Sequence, residues 1–188
     1  ADLTRPSGEL AEDALKFFSA FSSQDRVWDE TLPPSTRAFA NTKVAMIIAP
    51  SWRVFEILAV NPSLNFKVVP VPQLPKLDEF SADVTWASYW VEGVSQASQN
   101  KDQAWEFLKF ISSRDSLAKL YTNASRLRAF GEPYPRVDMA SLIADDPKVG
   151  AFVLQGPTGR SWYLASRTFD GPTGINSQVS KYYEDAVN

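Results

Sequence analysis

The chain has neither cysteine nor histidine, and these two absences remove most hydrolytic chemistry before any motif is sought. Without thiols there are no disulfides, no thiolate nucleophiles and no Cys-type zinc sites. Without imidazole the commonest general base and the commonest metal ligand are missing, so serine-histidine triads and cysteine-histidine dyads are excluded. A carboxylate-only mechanism and an oxygen-ligand Ca²⁺ or Mg²⁺ site are not. Long apolar runs are also absent. Val44-Ala45-Met46-Ile47-Ile48-Ala49 stops at Pro50, far short of the roughly 20 residues a bilayer-spanning helix needs. Nor is there an excess of positive charge: 19 Lys and Arg stand against 22 Asp and Glu, for a formal net charge of −3. The basic residues are scattered, so the chain carries no electrostatic footprint for nucleic acid or an anionic membrane. No secretory signal is visible, and the start Ala1-Asp2-Leu3, without Met, leads to the expectation that the native start lies upstream.

What is present suffices for a core. With 188 residues, 44% of them hydrophobic and 22% charged, the chain is expected to be globular, as one domain or two small lobes. Leu10, Ala14, Phe17, Phe18 and Phe21 share one helical face over residues 9–21, with the aromatics expected in the core. A shorter helix follows at 35–40. Residues 43–49 form an apolar run of strand length, 54–60 are helical, and 65–71 are a second strand candidate, together a βαβ unit and hence an α/β layer fold. Ser51 is placed as the N-cap of the helix, with Trp52 exposed at the turn after the first strand, where open α/β sheets receive ligands. Pro70, Pro72 and Pro75 rule out a continuing central strand and mark a crossover. Asn100 and Gln103 form a capping box ahead of a stripe of Ala104, Phe107, Leu108 and Ile111, with Trp105 assigned to the core. Further helices are expected at 115–121, at 138–144, at 147–155 behind an Asp146 cap, and at 175–187.

The word Gly-Pro-Thr-Gly occurs at 156–159 and again at 171–174. Neither copy has the Lys-Ser or Lys-Thr of a phosphate loop, so both are better explained as helix punctuation. Gly156 stands at a C-cap, Pro157 blocks continuation, Ser161 can cap a next helix, and Thr173 can cap the last one. Aromatic residues make up 13% of the chain, enough to ask which of them are surface platforms. Trp52, Trp86, Trp90 and Trp162 lie at turns, strand ends or helix starts and are the candidates. The carboxylate pairs Asp145-Asp146 and Glu184-Asp185 are most simply a helix cap and a solvated helix face.

Ala38-Phe39-Ala40-Asn41-Thr42-Lys43-Val44-Ala45-Met46, then Ala49-Pro50-Ser51-Trp52, Asn61-Pro62 and Val69-Pro70-Val71-Pro72-Gln73 form an ordered set. Val94-Ser95, Asn100-Lys101, Ala104-Trp105-Glu106-Phe107-Leu108-Lys109-Phe110 and Ser161-Trp162-Tyr163 through Arg167-Thr168 continue it. In order and spacing the set resembles the C-terminal half of bacterial extracellular solute-binding proteins of the family 1 sugar-binding type, the maltose-binding-protein-like group. Thr42 departs from the pattern, standing where the family commonly has Gly. The resemblance implies a periplasmic-binding-protein-like (type II) α/β architecture of two lobes, present here as a C-terminal fragment. Residues 1–80 and 136–188 would form the C-terminal lobe and 84–135 the later part of the N-terminal lobe, with crossovers near 75–84 and 132–138. It further implies a ligand site drawn from Trp162, Tyr163, Trp52, Ser51, Trp90, Tyr89 and Arg126, with no catalytic residue, metal or cofactor. The implied partners are a small-molecule solute, a saccharide first, and the permease subunits of an ABC importer. The implied location is periplasmic or extracellular, with lipid anchoring through a preceding segment left open.

Three functions stay in view. The first is a non-catalytic solute-binding component of an importer, for a sugar or another solute. A carboxylate-dependent carbohydrate enzyme would need two acids facing across a cleft. A structural or partner-binding module would need Trp52, Trp90 and Trp162 buried.

Overall fold

The computed structural model describes residues 9–76, 82–161 and 169–187. The chain runs α1 (Glu9–Ser23), α2 (Ser35–Ala40), α3 (Arg53–Val60), β1 (Thr85–Trp86), α4 (Lys101–Ile111) and α5 (Arg114–Ser125). A 3-10 turn at Val137–Leu142, α6 (Gly150–Gln155), a second 3-10 turn at Gly156–Thr158, β2 (Gly159–Arg160) and α7 (Ile175–Val187) complete it. Among the described residues each expected helix has its counterpart, but residues 137–142 wind as a tight 3-10 turn. Helix α6 starts at Gly150 behind Val149, three residues later than expected, and Asp146 caps the turn before it: its Oδ1 accepts the Lys148 and Val149 amides at 2.8 and 3.0 Å, and its carbonyl accepts Gly150 N–H at 2.8 Å.

Helix α2 closes by a complete Schellman motif. The Lys43 amide bonds the Ala38 carbonyl at 2.8 Å and the Thr42 amide bonds the Phe39 carbonyl at 2.9 Å, which requires the residue between helix and exit to be left-handed. That residue is Thr42, at φ 58°. Glycine would adopt this conformation without strain, so the departure at Thr42 has a physical meaning: a β-branched side chain is held where a Cβ is disfavoured.

The expected βαβ unit is corrected. Residues 44–50 and 64–70 flank α3 outside any helix or strand, and among the described residues the sheet contains only β1 and β2. These two pair in parallel, Thr85 opposite Gly159 and Trp86 opposite Arg160. Met46 and Ile48 are 86% and 79% exposed. Apolarity marks a segment that gains by burial, but a strand also needs a partner on its hydrogen-bonding edge, and the first run has none here. The second run is held by side chains instead: Lys148 Nζ bonds the Phe66 carbonyl at 2.9 Å and sits 3.5 Å above the Phe66 ring.

The core gathers Val54 of α3 with Phe130, Ile143 and Val149, and Phe55, Phe66, Tyr121 and Phe152 pack around them. Phe55 and Phe130 rings lie 4.5 Å apart, and the Arg128 guanidinium lies over the Phe55 ring, 4.7 Å from its centroid. A buried ring of this size contributes about 1.5–3 kcal/mol by removal from water. This core draws on residues from both sides of position 84. A second tie joins the α5 start to the return chain, where Asp138 accepts Arg136 Nε and Nη2 at 2.9 and 3.1 Å and Arg114 Nη1 at 3.3 Å.

Several expected core residues face solvent. Phe17, Phe18 and Phe21 of α1 are exposed; α1 packs along α7, and Phe17 and Phe21 meet each other edge-on at 5.3 Å. Trp105, Phe107 and Phe110 of α4 are exposed too, because α5 is the neighbour of α4 and only Ala104, Leu108 and Ile111 are partly covered. An amphipathic stripe shows which face should be covered, and the covering element is a non-local matter.

Three cap assignments change. The α3 cap position is Trp52, without a side-chain bond. The chain enters through a tight turn in which the Pro50, Ser51 and Trp52 carbonyls accept the Arg53, Val54 and Phe55 amides, so the Ser51 hydroxyl is not needed. Asn100 stands at the α4 cap position but its side chain makes no cap bond; its carbonyl accepts Ala104 N–H at 3.0 Å. At α7, Asp170 takes the role expected of Thr173. Its Oδ2 accepts the Asn176 amide at 2.9 Å, and Oδ1 accepts the Ser177 amide and hydroxyl, each at 3.2 Å. These bonds, led by that from Asn176, hold its carboxyl below the usual carboxylate range. Gly174 makes the fold-back possible, since a Cβ there would stand 2.1 Å from Asp170 Cγ.

Candidate functional site

The parallel ladder of β1 and β2 is where distant parts of the chain meet. The Ala87 amide extends it, bonding the Arg160 carbonyl at 2.9 Å. Thr85, the buried residue of β1, fixes its inner side: the Thr85 and Thr158 hydroxyls, 3.1 Å apart, both reach the Gln155 carbonyl, at 3.2 and 2.9 Å. The Gln155 side chain in turn grips Val71. Val71 N–H donates to Oε1 at 2.9 Å and Nε2 donates to the Val71 carbonyl at 3.2 Å. Gln73 bridges the remaining gap, with Nε2 bonded to the Val71 carbonyl at 3.1 Å and Oε1 accepting Val84 N–H at 3.0 Å.

Outward from this clasp the segment after β1 is aromatic. Trp86 is exposed, Tyr89 is 69% exposed and Trp90 is 98% exposed. Tyr89 leans back over β2, its hydroxyl 3.1 Å from where a Cβ on Gly159 would stand. The first Gly-Pro-Thr-Gly word is therefore more than punctuation. Gly156 does take the α6 C-cap position, Thr158 joins the clasp, and Gly159 leaves room for Tyr89. Arg160 stands opposite Trp86 in the register, so a cation and an aromatic side chain share one edge. Flat aromatic faces beside polar donors suit a ligand with an apolar face and hydroxyl groups.

The other expected site residues lie elsewhere. Ser51 is half-buried and Trp52 is 47% exposed at the start of α3. Arg126 is the C-cap of α5, which runs further than expected, and it lines a shallow groove of about 270 Å³ with Ala118, Lys119, Thr122 and Asn123. Among the described residues no hydrogen bond, ion pair or ring contact joins Trp52 or Arg126 to Tyr89 or Trp90. Trp162 and Tyr163, and the helix expected after Ser161, lie outside the described residues.

The acids offer no metal cluster among the described residues. Asp146 is engaged as a cap, and Glu184 and Asp185 are exposed on α7. Gln155, Gln73, Thr85 and Thr158 escaped the sequence because their bonds join positions far apart in the chain. Gly159 carried a signal, as the last letter of a repeated word.

The family model for bacterial extracellular solute-binding proteins matches residues 1–163, the span that holds the core, the clasp and the aromatic edge. The chain belongs to this family. The match agrees with the family resemblance carried by the ordered words from Ala38 onward. As a bacterial extracellular solute-binding protein it binds a small-molecule solute and works outside the cytoplasm. The mixed fold, helices with a small parallel ladder, fits an α/β binding protein. Among the described residues no helix is long and apolar enough to cross a membrane. No curated protein matches the chain.

Proposed function

We propose that the protein is the non-catalytic solute-binding component of an ABC importer, and that it holds a saccharide at the aromatic edge of β1 and β2. The observation that carries this is the exposed run Trp86, Tyr89 and Trp90 beside Gly159 and Arg160. An aromatic face covers the C–H side of a pyranose, and Arg160 and the Tyr89 hydroxyl supply donors for its oxygens. Trp162 and Tyr163 follow two residues after this edge and are assigned to the same site. Trp52, Ser51 and Arg126 are assigned to an opposing wall. A buried-module function is disfavoured by the exposure of Trp52 and Trp90.

In this proposal the architecture is the two-lobed type II form. One lobe comprises residues 1–80 and 136–188 and the other includes 84–135, meeting at the Phe55–Phe130 contact. Crossovers lie near 75–84 and 132–138, by the Gln73–Val84 and Arg136–Asp138 bonds. Closure around solute would exclude water and present a changed surface to the permease subunits. The location is periplasmic or extracellular. A second possibility, a non-sugar solute bearing a carboxylate, is favoured by Arg160 on the edge.

Titration with neutral sugars, uronic acids and amino acids, followed by tryptophan fluorescence and calorimetry, tests both. Saturable binding of a neutral sugar is the expected result. Binding of amino acids alone would reject the saccharide, and binding unaffected by Trp90→Ala and Tyr89→Ala would reject the site.

A further inference from the structure

Gln155 does two unrelated things with one residue. It is the last residue of α6, where a helix leaves carbonyls without intrahelical partners, and the Thr85 and Thr158 hydroxyls meet that carbonyl. Its side chain carries an amide NH2 and a carbonyl, the groups of a peptide unit, and both engage Val71. Val71 lies between Pro70 and Pro72, so it holds the sole backbone donor of that stretch and no strand ladder can run past it. A side-chain amide can still pair with this single residue. We propose that Gln155 is the positioning residue of the aromatic edge: it pairs with Val71 in place of a strand and gathers the hydroxyls that align β1 with β2.

The consequence is that Val71, Thr85 and Thr158 are placed by one residue, and the Ala87–Arg160 bond that carries Tyr89 to Gly159 depends on it. The importance of this for solute binding rests on the proposed site, whereas the clasp itself does not.

Amide exchange on the intact, solute-free chain tests it by millisecond quench and residue-resolved mass spectrometry. Gln155→Ala keeps the main-chain carbonyl that Thr85 and Thr158 share but removes its side-chain anchor on Val71, so exchange should speed at Val71 and Ala87 together, each about tenfold, with α5 unchanged. Gln155→Glu keeps an acceptor for Val71 N–H and loses the donor, so it should give an intermediate rate at both amides. A wild-type rate at Ala87 with Val71 released, in either variant, would overturn the proposal, as would equal acceleration in α5. Because no ligand is present, a failed sugar titration leaves this result standing, and a flat exchange profile leaves the sugar site to its own test.

Discussion

The Tyr89 hydroxyl and Gly159 approach so closely that a single added methyl group would touch both the ring oxygen and the turn behind it. The added Cβ would lie 3.1 Å from Tyr89 Oη, from Ala87 Cβ and from the Gly156 carbonyl. Tyr89 can swing away at little cost because it is exposed, but the Gly156 carbonyl belongs to a turn and cannot. Gly159→Val is therefore expected to cost about 1 kcal/mol by overpacking, read from denaturant unfolding. It should also displace Tyr89 and weaken saccharide binding, while Gly159→Ala does so mildly.

Trp90 separates binding from folding. With its side chain almost fully in solvent, Trp90→Ala should change stability by no more than about 0.5 kcal/mol. If the ring covers a sugar, the same variant should lose affinity by about fivefold, near 1 kcal/mol of stacking. Calorimetric titration and a melting curve on one sample give both numbers.

Thr42 offers the opposite kind of change. Its left-handed backbone closes α2 through Lys43 and Ala38, and a β-branched residue there is strained by about 1 kcal/mol relative to glycine. Thr42→Gly should raise the unfolding free energy by about that amount, with an unchanged denaturant slope.

Asp170 makes the attachment of α7 pH-dependent. Its pKa is depressed in the folded chain, chiefly by the Asn176 amide, so its stabilising effect is fully present above the unfolded value near 4. That effect fades as pH falls through the lower folded value. Protection of the Asn176 and Ser177 amides, taken relative to their intrinsic exchange rates, should fall as the pH drops below about 4. Asp170→Asn should be less protected than wild type at pH 7 and lose no further protection in acid.

The helices were legible because their signals are local. Prolines and apolar spacing placed α2 at 35–40 and α7 at 175–187 to the residue. Pairing was not legible, because the partner of β1 is β2, some seventy residues away and announced by nothing in its own sequence. Burial failed in the same way: Phe17 and Trp105 lie in amphipathic helices whose neighbours cover only part of the apolar face. At the candidate site the aromatic segment could be read in advance. The glutamines that hold it could not, since an amide side chain looks alike whether it meets water or a distant backbone.

The uncharged run at 44–49 has a consequence for handling the protein. With Met46 and Ile48 in solvent, these six residues offer an apolar, β-prone template to another copy. Copies of the chain should find one another through it as concentration rises, so aggregation sets the practical limit on solubility. Light scattering across a dilution series should register this, and Ile48→Lys, by adding a charge to the template, should postpone it to higher concentration.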